Sequence, residues 1–255
     1  MELKEVRAIV TGAAGGMGAC FARELARSGA RVVGGDTNAA GLRELMSSVD
    51  GIEGELSVAK LDLTDEASVS SFVSLALDRL GTVNVLLNCA GIARDGELVS
   101  IDGGGVKKLP LAQWRKVLDV NLTGQFLITR EVVASMIEAG VGGVVVNVSS
   151  LARAGNPGQS NYAASKAGLD ACTRTWALEL ARHGIRVGGI APGVTETGFL
   201  GSFGEETLEG LASEIPLGRL GTTADLWRAV RFILECEFFT GRTVEVDGGA
   251  AMGHL

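Results

Sequence analysis

The chain is short of groups that move protons near neutral pH. Its 255 residues include one tyrosine, Tyr162, and two histidines, His183 and His254. One histidine ends a helical stretch and the other is the penultimate residue, so histidine-based acid–base chemistry has little to work with. Cysteine is as sparse. Cys20, Cys89, Cys172 and Cys236 lie far apart, with no metal-type spacing and no disulfide framework. They read as small buried residues of a reducing cytosol, and no metal site is expected. No Lys/Arg-rich run occurs and the net charge is −7, which argues against a nucleic-acid partner. No apolar run approaches the ~18 residues of a membrane span. The start, Met1-Glu2-Leu3-Lys4-Glu5, lacks the pattern of a signal peptide. A cytoplasmic protein with no membrane partner is the expectation.

Apolar residues, by contrast, make up 46% of the chain, and glycine is abundant at 37 against 4 prolines. That composition suits a sizeable core with many tight turns. Apolar β-rich runs alternate with helical patterns throughout. Predicted strands are Arg7–Val10, Arg31–Gly34, Glu55–Leu61, Val83–Asn88, Val144–Ser149, Ile185–Ile190 and Thr243–Val246. Predicted helices are Met17–Ser28, Ala39–Val49, Glu66–Leu80, Leu111–Ala139, Asn161–His183 and Thr223–Glu235. Strands such as Val144-Val145-Val146-Asn147-Val148 are apolar without alternation, as when helices cover both faces of a parallel sheet. The fold class is α/β: a doubly wound, seven-stranded parallel sheet in three layers. No linker or repeat interrupts it, so residues 1–255 read as one domain. Two stretches escape the rhythm. Asp102–Pro110 reads as a hairpin or a loose loop. Val194–Arg219 carries Gly198, Gly201 and Gly204 around Phe199 and Phe203, and reads either as a glycine-hinged lid or as a surface connection.

The first strand runs into Thr11-Gly12-Ala13-Ala14-Gly15-Gly16-Met17-Gly18 and then a helix. Gly12, Gly16 and Gly18 suit a tight turn, close approach to a pyrophosphate and close helix–strand packing. The helix N-terminus offers free N–H groups to phosphate. Asp36 ends the second strand, where an acidic side chain holds a ribose 2′-hydroxyl. A 2′-phosphate would be repelled there, and Gly15, Thr37 and Asn38 carry no compensating charge. NAD is therefore expected rather than NADP, unless Asp36 is simply a helix cap.

Tyr162 is followed one helical turn later by Lys166, so both can share a face. A neighbouring ammonium would lower the cost of the phenolate. Taken alone, the pair reads first as a core tyrosine beside a solvated lysine.

The motifs together resemble the short-chain dehydrogenase/reductase family over nearly the whole chain, in the subgroup with the shorter glycine motif. The resemblance implies a Rossmann fold and a set of roles. Gly12, Gly15, Gly16, Met17 and Gly18 form the cofactor loop. Asp62 and Leu63 contact adenine. Asn88, Ala90 and Gly91 resemble the family's Asn-Asn-Ala-Gly, with Cys89 as a departure. Pro192, Gly193, Thr195 and Thr197 belong to the segment that meets the nicotinamide carboxamide. Asn121, Ser149, Tyr162 and Lys166 form the catalytic set, and Tyr162 and Lys166 also touch the cofactor. Ser149 is preferred to Ser150 on the family's serine-to-tyrosine spacing. In these roles Tyr162 moves the proton of a carbonyl or alcohol oxygen and Lys166 holds the nicotinamide ribose. Ser149 donates to the developing oxyanion and Asn121 positions a water.

Asn156-Pro157-Gly158-Gln159-Ser160-Asn161 and Ile215-Pro216-Leu217-Gly218-Arg219 resemble 3-oxoacyl thioester reductases. The implied substrate is a small or thioester-linked carbonyl compound, and Phe199, Leu200 and Phe203 would suit an acyl chain. Two alternatives are an NAD-dependent 3-hydroxyacyl thioester or other secondary-alcohol dehydrogenase, and a non-catalytic NAD-binding subunit. Relatives imply a homotetramer, with Trp176, Trp227 and Phe232 as interface anchors or as core. The residues around Gly103–Pro110 exceed the family's usual length.

Overall fold

Neighbouring residues on the central strands send their side chains into two different cores. In the computed structural model, which describes residues 1–49, 51–197 and 204–250, Ala8 and Val10 pack with one cluster and Ile9 with another. Val144, Val146 and Val148 join the first cluster, and Val145 joins the second. This is why these strands read as unbroken apolar runs: both faces of the sheet are covered.

The strands of that sheet are β1 (Arg7–Thr11), β2 (Arg31–Asp36), β3 (Glu55–Lys60), β4 (Val85–Asn88), β7 (Gly143–Val148), β8 (Ile185–Pro192) and β9 (Thr243–Val246). They form a seven-stranded sheet in the order β3-β2-β1-β4-β7-β8-β9, and every neighbouring pair is parallel. The order reverses between β1 and β4, so the carboxyl ends of these strands flank a crevice. Helices α1 (Gly16–Arg27), α2 (Ala39–Ser47) and α8 (Thr223–Glu235) cover one face through Phe21, Leu25, Leu45, Trp227 and Ile233. Helices α3 (Glu66–Leu80), α5 (Gly124–Glu138) and α6 (Ser160–Leu180) cover the other through Phe72, Ile128, Val132 and Ala177. Trp227 is core and packs against Phe21, whereas Phe232 stays 47% exposed. Among the described residues, no helix is long and apolar enough to cross a membrane.

Two elements differ from the sequence-based expectation, and a third settles between its alternatives. The predicted helix Leu111–Ala139 is divided into α4 (Leu111–Leu118), a π-helical turn over Asp119–Thr123, and α5. The extended stretch is an antiparallel hairpin of β5 (Val99–Asp102) and β6 (Gly105–Lys108), so the hairpin alternative holds. The second irregular stretch contains a helix, α7 (Glu205–Glu214). Its Leu208 and Leu211 pack beside Leu151, Ile215 and Leu220 in a small third cluster. Gly198, Phe199, Leu200, Gly201 and Phe203 lie outside the described residues.

Candidate active site

A groove of about 590 Å³ runs along the carboxyl ends of β1, β2, β3 and β4. The glycine loop forms one wall. Gly12 has φ +68, and a Cβ there would lie 2.8 Å from the Ala90 main chain. A Cβ on Gly18 would lie 2.2 Å from the Gly12 carbonyl oxygen, so α1 can seat this close to the loop only with glycine. Gly15 caps α1 without any side-chain bond, and a Cβ on it would meet nothing within 4 Å. The N-terminus of α1 is thus bare of capping side chains beside open space, as an anionic pyrophosphate requires. Met17, Gly16 and Thr197 also line the groove, and Thr197 faces Gly16.

Asp36 stands at the far end. Its Oδ2 accepts from the Ala14 N–H at 3.1 Å and its Oδ1 from the Asn38 N–H at 2.9 Å. The cap of α2 is Asn38, whose Oδ1 accepts from Ala40 and Gly41, which leaves Asp36 to the groove. Asp62 accepts from the hydroxyl and N–H of Thr64, and these bonds hold its carboxyl below the usual range. Asp62, Leu63, Ala90 and Gly91 all line the same groove. An open glycine cradle, a bare helix terminus and a carboxylate for sugar hydroxyls fit a dinucleotide.

The catalytic candidates converge at the other end. Lys166 is buried and its Nζ donates to the Val148 carbonyl at 2.7 Å. The ammonium lies over the Tyr162 ring, 5.6 Å from its centroid. Burial holds its pKa down to about 8, with the nearby Cys89 acting the other way. Burial of the phenol pushes the Tyr162 pKa up; a hydrogen bond from Ser150 opposes that shift and the Asp95 carboxylate adds to it. The expected lowering by Lys166 is absent here. The ammonium meets the ring face and a carbonyl, and desolvation of the phenol dominates.

Asn121 is fully buried in the π turn. Its Oδ1 accepts from the Ile92 N–H, and its Nδ2 donates to the Ile92 carbonyl and the Ser165 hydroxyl. The carboxamide is therefore committed to the chain and fixes Ile92 against α6. Asn121 and Lys166 both approach Gly91, where a Cβ would lie 3.5 Å from each polar atom.

Ser149 does not face Tyr162. Its hydroxyl is buried and donates to the Lys166 main-chain carbonyl at 3.2 Å. Its N–H donates to Ile190, continuing the ladder of β7 and β8. Side chains alternate along such a strand, so the next residue turns to the opposite side. That residue, Ser150, is the side chain whose hydroxyl favours the ionised phenol. Its oxygen also accepts from the Ala152 N–H at 3.1 Å, which leaves its proton available to donate. Counting back from Tyr162 crosses a loop, and a change of one residue in loop length moves the count by one.

Other expected residues fall behind the site. The Asn88 Nδ2 donates to Thr129 and to Asn147, so Asn88 ties β4 to β7 and α5 and does not reach the groove. The Thr195 hydroxyl donates to the Gly193 carbonyl, and its backbone pairs with Gly221. Pro192, Gly193 and Thr195 carry the chain toward Thr197, which lines the groove. Ser150, Ile92, Arg94 and Lys116 are site residues that sequence reasoning passed over. Only Ser150 carried a signal, its place beside Ser149.

Comparison with known proteins gives a consistent result. A model of the short chain dehydrogenase family matches residues 6–207. The chain is 38% identical over 252 residues to the 3-oxoacyl-(acyl-carrier-protein) reductase of Thermotoga maritima, covering 98% of this chain and 99% of that one. It is 34% identical over 247 residues to the enzyme of the same name from Escherichia coli, covering 96% and 97%. The fold superimposes with a TM-score of 0.89 on a short-chain type dehydrogenase/reductase from Mycobacterium marinum, at 27% identity, covering 97% of this chain and 96% of that one.

Proposed function

Since the chain belongs to the short-chain dehydrogenase family and is an NAD(P)-dependent oxidoreductase, we propose that it reduces 3-oxoacyl thioesters with NADH. The observation that carries the reaction is the Ser150–Tyr162–Lys166 cluster, with Lys166 beside Gly91 in the wall of a groove that suits a dinucleotide. A nicotinamide cofactor, when bound, supplies the hydride. Gly12, Gly15, Gly16, Met17 and Gly18 would hold its pyrophosphate, and Asp62, Leu63, Ala90 and Gly91 would flank its adenosine half.

The protein's own residues handle the proton and the developing charge. Tyr162 gives its proton to the carbonyl oxygen. Its raised pKa keeps that proton in place until the oxygen becomes basic. Ser150 donates to the same oxygen as negative charge builds on it. Lys166, with its pKa near 8, can carry or release a proton close to working pH. Asn121 holds Ile92 and α6 so that Gly91 and Lys166 keep their spacing.

The choice of NADH rests on Asp36. Its carboxylate is fixed by two main-chain N–H groups and keeps lone pairs for ribose hydroxyls. A 2′-phosphate would bring a dianion against it. The thioester reading rests on the reductases that this chain resembles along nearly its whole length. The same reading places the enzyme in the cytoplasm, in keeping with four free cysteines. It also makes the enzyme a homotetramer, in keeping with the exposed Leu178 on α6 and Phe232 on α8.

The test is oxidation of NADH and NADPH with 3-oxoacyl thioesters of graded chain length. NADH should be preferred by at least ~tenfold, and Tyr162→Phe should abolish turnover. Undiminished turnover in that variant, or a preference for NADPH, would remove the reading.

A further inference from the structure

Beside Tyr162 lies a corner rich in side-chain amides that the mechanism leaves unused. Segment 94–96 leaves the groove and runs along the first turn of α6. Four hydrogen bonds pin it there. The Gly96 N–H donates to the Gly158 carbonyl at 2.7 Å, and the Asn161 Nδ2 to the Arg94 carbonyl at 3.0 Å. The Gln113 Nε2 donates to the carbonyls of Arg94 and Asp95 at 2.9 and 3.0 Å. Each of these bonds uses the main chain of the segment. Asp95 is therefore held in place without its carboxylate being consumed.

That carboxylate is aimed at the catalytic helix. Its Oδ2 accepts from the Gln159 Nε2 at 3.0 Å. Gln159 caps the helix that carries Tyr162, and its carbonyl accepts from the Ala163 N–H, so it belongs to the same helical turn. The Asp95 charge is felt at the phenol. The neighbouring Arg94 turns elsewhere: its Nη1 donates to the Ala93 carbonyl, and the residue lines the cofactor groove.

Resting on the carbonyl-reduction reading above, we infer that Asp95 determines specificity by charge. It excludes substrates with a negative charge close to the reacting carbonyl and admits neutral ones such as thioesters, esters and amides. A free 3-oxo acid carries its carboxylate two carbons from the ketone and would be drawn against a fixed anion. The corresponding thioester has lost that charge. Were a substrate carboxylate to lie ~7 Å from Asp95, an effective dielectric of ~20–40 would make the repulsion change binding roughly ten- to fiftyfold. Asp95 is exposed, which favours the lower figure.

Asp95→Asn removes the charge and keeps an oxygen to accept from Gln159. The readout is the ratio of kcat/KM for the N-acetylcysteamine thioester of acetoacetate to that for acetoacetate itself, with NADH. The wild-type ratio should favour the thioester, and Asp95→Asn should lower it about tenfold. Asp95→Glu, which restores the charge, should bring the preference back. A ratio unchanged in Asp95→Asn overturns the inference, whatever the absolute rates. Calorimetric binding of acetoacetate and acetoacetamide to the enzyme with NAD⁺ reads the same preference without turnover. If no carbonyl compound is reduced, the reaction reading fails. A tenfold gain in acetoacetate binding by Asp95→Asn would then still support the charge filter, and no gain would remove it too.

Discussion

Adjacent serines at the end of β7 offer a sharp test of the site, because the structure gives them opposite duties. Ser150 favours the ionised phenol of Tyr162 and accepts from the Ala152 N–H. Ser149 is 3% exposed and donates to the Lys166 carbonyl at 3.2 Å. Ser150→Ala removes a donor from the oxygen that gains charge in the transition state, a loss worth ~10²–10³ in kcat. Its cost in stability is only that of one turn bond. Ser149→Ala deletes a long, buried hydrogen bond and leaves the Lys166 carbonyl with its helix partner. That should cost about 1 kcal/mol of stability, or roughly 2–4 °C in Tm for a chain of this size. The effect on kcat should stay under ~tenfold. Steady-state NADH oxidation with an acetoacetyl thioester and thermal denaturation of both variants decide the matter. A slow Ser149→Ala beside a fast Ser150→Ala would refute the assignment of the donor.

Other predictions concern the cofactor, the buried lysine and the hairpin. Replacing Asp36 by Ser together with Thr37→Arg should move the NADPH-to-NADH preference by at least ~tenfold in kcat/KM, since a fixed anion is exchanged for a cation. Lys166 has its pKa lowered to about 8 from 10.5, so the unfolded chain binds the proton more tightly. The cost of burying the ammonium is complete below about pH 8 and is relieved as pH rises toward 10.5. Chemical denaturation should therefore show wild type gaining about 2 kcal/mol on Lys166→Met between pH 7 and 9.5. An equal response of the two proteins would contradict this. Replacing residues 99–108 by a two-residue turn should shift Tm by less than ~2 °C, because Val99, Ile101 and Val106 are 51%, 88% and 67% exposed. A cooperative loss of folding would show that the hairpin supports the core.

Much of the fold was legible because a covered parallel sheet leaves a plain mark. Strands feeding two cores read as continuous apolar runs, and α3 and α8 fall on their predicted boundaries. The glycine loop was legible for a related reason: Gly12 and Gly18 stand where any side chain would strike backbone. What escaped depends on contacts distant in sequence. Asn88 resembles a cofactor contact, yet Asn147 and Thr129 hold its side chain away from the groove. The π turn holds Asn121 against Ile92 and Ser165, contacts that no helical periodicity records. Helix α7 was hidden by the glycines around it, although Leu208 and Leu211 set an apolar side. Ser149 was preferred by arithmetic along the chain. The geometry turns on which way each residue points from the end of a strand.

The widened turn over Asp119–Thr123 makes chain length itself a constrained quantity. Removing one residue there would let the helix close into regular winding with little loss of backbone bonding. Because the wide turn takes up about one residue more than an α turn, the halves on either side would keep their facing. What the deletion removes is the slack that lets Asn121 reach the Ile92 main chain and the Ser165 hydroxyl at once. A one-residue deletion at this place should leave the fold standing and loosen the seat of Lys166 beside Gly91.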